Sequence, residues 1–208
     1  MPIRKSAAER KLEIVEATLS LSDALGPDRI STEAIARAVG LTQPGIFRHF
    51  QTKQALWQAV AEWIAEHMRS RWGVALRPGG AALDRIERLI RAQLELIEST
   101  PAIPAILFSR ELHAENDTLR RAVFELMNAF RTAIAGEIRR ALDDGTVRAD
   151  LAPDDAAFLL IGLVQGLAVR WSLAGRSFGL EAEGARLLAV QLGLFEAARP
   201  AGTREGAA

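Results

Sequence analysis

The stretch that decides the fold is Ser31-Thr-Glu-Ala-Ile-Ala-Arg-Ala-Val-Gly40-Leu-Thr-Gln-Pro-Gly-Ile-Phe-Arg-His-Phe50-Gln-Thr-Lys53. It reads as short helix, tight turn, short helix. Ser31 is a capping residue ahead of a helix to Ala38, and Thr42 caps a second helix to about His49. Gly40 suits a left-handed stop between them. Pro44 falls in the first turn of the second helix, where a missing N–H is tolerated. Ile35 and Ala36 face inward, and the small Ala36 lets the second helix come close. Leu41 plugs the gap, and Ile46 and Phe50 complete a small core. In such a helix-turn-helix the second helix is free to enter the major groove of DNA.

Helix signals continue on both sides. Ser6-Ala-Ala-Glu9 has the capping-box pattern. Behind it Ile14, Ala17, Leu21 and Leu25 form one apolar stripe, which Gly26-Pro27 ends. Thr52 caps a fourth helix to about Trp72. Arg77-Pro78-Gly79-Gly80 is a linker. A helix follows over about 81–98, broken by Pro101 and Pro104, with a shorter one behind it to about His113. Leu119, Val123, Leu126, Phe130, Ile134 and Ile138 mark a long amphipathic helix that stops at Asp143-Asp144-Gly145. Pro153, Asp154 and Asp155 open the next, which runs to about Leu173. A last helix is predicted over about 181–198. No period-2 pattern and no internal repeat appears. The predicted fold is all-α with about nine helices: an N-terminal three-helix helix-turn-helix DNA-binding domain and a C-terminal helical ligand-binding and dimerisation domain. The predicted divisions are 1–53 for the head, a linking fourth helix over 52–72, 54–200 for the body and 201–208 for a disordered tail.

Twenty-six basic residues balance twenty-six acidic ones over 208 residues. Only the distribution leans toward an anionic partner, with eight Lys/Arg against six acids up to Lys53. The absence of cysteine excludes disulfides and thiolate chemistry. The N-terminal residues carry no apolar run, so no secretory signal is expected. The longest apolar stretch, Ala156 to Val164, is far shorter than the ~20 residues of a membrane span. A cytoplasmic protein without a membrane partner is expected. Three scattered histidines, His49, His67 and His113, form no zinc-binding pattern, and neither a phosphate-binding glycine loop nor a serine elbow occurs. No catalysis, cofactor or metal is expected.

The segment resembles the DNA-binding domain of the TetR family of repressors. That pattern has a capping Ser/Thr, Ile-Ala, a turn glycine, a short recognition helix, aromatic-x-His-Phe and a lysine three residues on. Here these are Ser31, Ile35-Ala36, Gly40, Thr42 to Arg48, Phe47-Arg48-His49-Phe50 and Lys53. The match covers about Ser6 to Trp63. The resemblance implies a DNA-binding regulator, a repressor, acting on a palindromic operator as a homodimer under a small effector. It also implies that His49 and Lys53 bind phosphate. The family has tyrosine where Phe47 stands, and a phenylalanine ring cannot donate to phosphate.

Side-chain chemistry assigns further roles. Thr42 can meet a phosphate at the helix N-terminus, and Gln43 can read adenine through a bidentate pair. Pro44 can touch a thymine methyl, and Gly45 allows close backbone approach. Arg48 suits guanine or phosphate. Arg4 and Lys5 form a candidate basic arm. For the dimer, Ala156, Leu160, Leu163, Val164, Leu167 and Trp171 line one late helix and Leu187, Val190, Leu194 and Phe195 the other, with Gly162 and Gly166 permitting close contact. An ordinary intrachain core is the competing explanation. Candidate pocket residues are Trp63, Phe108, Phe124, Met127, Phe130 and Trp171, with Arg110, His113 and Gln165 for polarity, and they point to an apolar effector. The alternative function is a helical ligand- or partner-binding protein without sequence-specific DNA binding.

Overall fold

The computed structural model describes residues 5–197. Ten α-helices occur among them: α1 (Ala7–Leu25), α2 (Thr32–Ala38), α3 (Gln43–Phe47), α4 (Lys53–Ala75), α5 (Ala82–Ser99), α6 (Ala102–Leu107), α7 (Arg110–Glu115), α8 (Asp117–Asp143), α9 (Pro153–Leu173) and α10 (Leu180–Gly193). A 3₁₀ turn, Pro27–Arg29, joins α1 to α2. The described residues hold no strand, only one isolated antiparallel bridge between Val147 and Glu196.

The head forms as its caps dictate. Ser6 and Glu9 close the capping box from both sides, Glu9 N–H donating to Ser6 Oγ at 3.2 Å and Ser6 N–H to Glu9 Oε2 at 2.7 Å. The Ser6 N–H in turn holds the Glu9 carboxyl below the usual carboxylate range. At the end of α2, Gly40 has φ +64°. Gly40 N–H donates to Arg37 C=O at 3.3 Å and Leu41 N–H to Ala36 C=O at 2.8 Å, a complete Schellman motif. That turn aims α3 away from α2. Ile14, Leu19, Ile35, Ala36, Ile46, Phe50 and Leu56 are all buried and lock the three helices and the start of α4 into one core.

Two differences from the sequence reading have local causes. The segment behind Pro101 is two short helices, because Ser109 leaves helical geometry (φ −67°, ψ 113°) to accept from Leu112 N–H at 3.1 Å and cap α7. The count is therefore ten α-helices, not nine. The last helix stops at Gly193, not near Ala198. There Phe195 turns into the core, and its carbonyl accepts from Arg148 N–H at 2.9 Å.

In the body, α5 lies among α4, α8, α9 and α10. α9 is the one described helix long and apolar enough to cross a membrane by length and composition. An unbroken apolar run is thus too strict a measure for it. One of its faces is packed against α8, α5 and α10. Head and body are fastened at more than one point. Ser109 Oγ donates to Asp28 at 2.7 Å and Arg176 pairs with Asp23.

Where α10 meets α5, Gly184 is buried, and a Cβ there would sit 2.2 Å from Leu94 Cδ1. Leu94 is fully buried, and its Cγ would lie 3.4 Å away as well. Gly184→Val should therefore lower the unfolding free energy by about 2–3 kcal/mol through overpacking, read from urea denaturation. Unchanged stability would contradict this helix contact.

Candidate functional site

The recognition helix is short and its start is fixed by its cap. Thr42 Oγ1 accepts from Gly45 N–H at 3.3 Å, and Pro44 is exposed in the first turn. Gln43 is half-buried because its Nε2 donates to Thr32 Oγ1 at 3.0 Å. The Gln43 amide also helps to hold the Glu33 carboxylate, and its carbonyl oxygen stays available. Thr32, absent from the sequence reading, thus braces the side chain assigned to adenine. Beside it, the Glu33 carboxyl is held below the usual carboxylate range, first by its own N–H and then by the Ser31 hydroxyl. Ser31 itself caps α2, accepting from Ala34 N–H at 3.2 Å. A Cβ on Gly45 would meet Leu41 Cβ and Thr42 Oγ1 at 3.4 Å and Leu41 Cδ1 at 3.9 Å, ordinary contacts, so the protomer's own packing does not require glycine.

Phe47 is 38 % exposed. Arg48 is exposed at the C-cap of α3, and His49 is half-buried. Lys53 is exposed at the first position of α4, whose first turn carries no acid. A cation there opposes the helix dipole, and an external anion at this helix start would offset it. Among the described residues neither Arg48 nor Lys53 has a carboxylate partner; the head's basic ion-pair members are Lys5 and Arg10, both on Glu13. Lys5 Nζ lies 2.8 Å from Glu13 on α1. Arg4 lies outside the described residues.

The dimer candidates divide. Ala156, Leu160, Val164, Leu167, Trp171 and Phe195 are buried in the protomer's own core. Leu163 and Leu187 are half-buried, while Val190 and Leu194 are exposed. The outward face of α9 carries Phe158, Leu159, Val169 and Leu173, and the last is 84 % exposed. Gly162 and Gly166 lie on this face, and a Cβ on either would meet nothing within 4 Å. A groove of about 490 Å³ runs between α9 and α10 beside Gly162, Gly166, Leu163 and Leu187. The candidates mix two faces because α9 is apolar nearly all round: six serve the protomer's own core, while Leu163, Leu187, Val190 and Leu194 reach the surface with Gly162 and Gly166.

Of the pocket candidates, Phe108, Met127, Phe130 and Gln165 share a small cavity of about 30 Å³. The other walls are Met68, Gln93, Ile97, Ile103, Pro104, Leu107, Ile161, Val164 and Ala168. The remaining candidates are elsewhere. Trp63 stacks on His67 at 3.7 Å beside a groove against α1. Phe124 and Arg110 are exposed. His113 bonds the Leu107 carbonyl through Nε2 at 2.8 Å, and Trp171 Nε1 donates to Phe178 C=O at 2.9 Å. Helical periodicity shows that Gln93 shares a face with Leu89, Ile90 and Leu96, and a glutamine at an inward position was the overlooked sign.

Comparison with known proteins agrees with this geometry. The model described as bacterial regulatory proteins, tetR family, matches residues 14–60. A tetracyclin repressor-like C-terminal domain matches residues 82–182. The nucleoid occlusion factor SlmA of Marinobacter nauticus is 28 % identical over 148 residues, 71 % of this chain and 74 % of its own. SlmA of Vibrio atlanticus is 29 % identical over 168 residues, 78 % and 83 % respectively. The ketosteroid transcriptional regulator KstR2 of Mycobacterium tuberculosis has the same fold, with TM-score 0.76 and 18 % identity over 91 % of this chain and 96 % of its own. The FadR regulator of Bacillus subtilis, solved with stearoyl-CoA, superposes with TM-score 0.77 and 14 % identity over 89 % and 99 %. With both family models spanning the head and most of the body, the chain belongs to the TetR family and is a DNA-binding transcriptional regulator.

Proposed function

We propose that the protein is a cytoplasmic repressor that binds a palindromic operator as a homodimer and is controlled by a small apolar effector held in the body. The head, ending near Lys53, presents Gln43 to Arg48 to the major groove. Thr42, His49 and Lys53 meet phosphates, with Ser31 alongside. The body supplies the pairing surface and the effector cavity. The observation that carries the reading is the pairing of an anion-seeking recognition surface, with Arg48 and Lys53 uncommitted, and an exposed apolar α9–α10 face at the other end of the chain. Apolar patches of this kind mark partner surfaces. A two-fold pair on such a face delivers two recognition helices to one duplex.

The cavity of about 30 Å³ is well below the ~300–1,000 Å³ of an occupied ligand site, so an effector has to part its walls. The short α6 forms one wall, through Ile103, Pro104 and Leu107. α6 packs on α1, and the Ser109 hydroxyl just behind it holds Asp28 of the head at 2.7 Å. Displacement of α6 therefore reaches the head directly and shifts the population of DNA-competent head spacings.

The reading is tested by footprinting on the chain's own upstream DNA. Protection of two related half-sites about 34–36 Å apart is expected, and uniform weak protection of all duplexes at low salt contradicts it. Arg48→Ala should weaken operator binding by about 1–3 kcal/mol. Loss of preference at one base pair assigns guanine reading, and an even loss with a shallower salt slope assigns phosphate. Phe47→Tyr should restore a phenol donor to the phosphate backbone and tighten binding by about 0.5–1.5 kcal/mol on every duplex tested. Titration by fluorescence anisotropy reads both, and a null or weakened Phe47→Tyr places residue 47 away from the backbone.

A further inference from the structure

We propose that the body cavity selects an uncharged, largely apolar molecule bearing one hydrogen-bond-accepting oxygen, and that Gln93 is the side chain that reads this oxygen. The inference rests on the reading of this cavity as the effector site and adds the chemistry of its ligand.

The cavity wall holds no ionisable side chain. Gln93 on α5 and Gln165 on α9 are its polar members, among Met68, Met127, Phe130, Ile161 and other apolar residues. Gln93 is only 4 % exposed, so its amide needs partners inside the protein. Trp72 Nε1 lies 2.8 Å from Gln93 Oε1. An indole N–H only donates, and this contact fixes which end of the amide is oxygen. Trp72 is itself held by stacking on Phe130, with ring centroids 4.8 Å apart. The amide NH₂ is thereby turned away from Trp72, and among the described residues Nε2 has no acceptor. Gln165 Nε2 on the facing helix reaches only the Met127 sulfur at 4.0 Å, a weak acceptor.

A ketone, ester, lactone or alcohol oxygen placed at Gln93 Nε2 gives this donor an acceptor inside the apolar cavity. A hydrocarbon fits the apolar walls and leaves the donor unmet. A carboxylate or phosphate has to shed its hydration with no cation to pair with, which the apolar interior penalises most. An ammonium group meets no carboxylate. The site therefore ranks its ligands as neutral acceptor first, hydrocarbon second and anion last.

The test uses the full chain at pH 8 with two matched sets: 2-nonanone, 1-nonene and nonanoate, then acetophenone, ethylbenzene and benzoate. Binding is read from tryptophan fluorescence and from release of operator DNA. In at least one set the ketone should bind tenfold or more tightly than the hydrocarbon, with no binding of the anion. Gln93→Met, which keeps volume and removes the donor, should bring the ketone down to the hydrocarbon's affinity and leave the hydrocarbon unchanged. Equal binding of the carboxylate, or a ketone preference that survives Gln93→Met, overturns the assignment and leaves the effector cavity standing. Loss of ketone and hydrocarbon alike in Gln93→Met makes Gln93 a structural residue and also overturns it. If none of the six compounds binds the unaltered protein, the effector reading of the cavity falls, and this inference falls with it.

Discussion

Gly162→Glu and Gly166→Glu should each yield a folded monomer whose operator affinity is lower by about 10²–10⁴-fold. Neither glycine is explained by packing within the protomer, since a Cβ at either position meets nothing within 4 Å. Both lie one turn apart on the outward face of α9, flanked by the exposed Phe158, Leu159 and Val169. Glycine inside an exposed helix costs about 1 kcal/mol against a good helix former. A carboxylate side chain there should therefore help the isolated helix, leave the protomer intact and push bulk and charge into the proposed interface, beside Arg170 and Arg186. Loss of pairing converts two linked DNA contacts into one, hence the large effect. Gly73→Glu is the control: Gly73 is equally open and exposed on α4, away from this face. Sedimentation equilibrium, circular dichroism and operator anisotropy read the three consequences. A Gly162→Glu protein that stays dimeric with unaltered operator affinity removes α9 from the interface and ends the proposed assembly.

How much the sequence revealed depended on whether a residue's role is local. Caps and stops are decided within four residues. Ser6, Ser31, Thr42 and Thr52 all cap where their spacing predicts, and Gly40 takes the left-handed turn. In the head this local information was enough, because Ile35, Ala36, Ile46 and Phe50 pack across a turn of only a few residues. The body is decided by contacts between distant segments. Amphipathic α8 announces its buried face through Leu119, Val123, Leu126 and Phe130. α9 has apolar residues at nearly every position, so its pattern does not say which side meets the core. The same limit hid the cavity, whose walls come from five helices and whose polar member, Gln93, is oriented by Trp72 from a different helix. Ser109 was hidden for another reason: besides capping α7 through Leu112 N–H, its hydroxyl donates to Asp28, 81 positions away, a contact no local pattern announces.

The largest stability effect should come from Arg85, through a charge that cannot follow it out. Glu137 on α8 is 3 % exposed, and its Oε2 accepts from Arg85 Nε at 2.7 Å. Arg140, mostly exposed, holds the other oxygen. Removing one partner of a buried pair strands the remaining charge and typically costs about 3–5 kcal/mol. Arg140 can still neutralise part of it, so Arg85→Leu should destabilise by about 2–4 kcal/mol, with the loss visible in urea unfolding at pH 7. The double variant Arg85→Leu with Glu137→Leu deletes the stranded charge together with its partner and should return close to the parent stability. α5 and α8 also carry Gln93, Met127 and Phe130 to the cavity. The double variant therefore separates two contributions of the pair. If stability recovers but ligand discrimination at Gln93 is lost, the ion pair sets the register of the two cavity walls. If Arg85→Leu alone leaves stability untouched, Arg140 suffices to hold Glu137 and the α5–α8 ion pair is energetically idle.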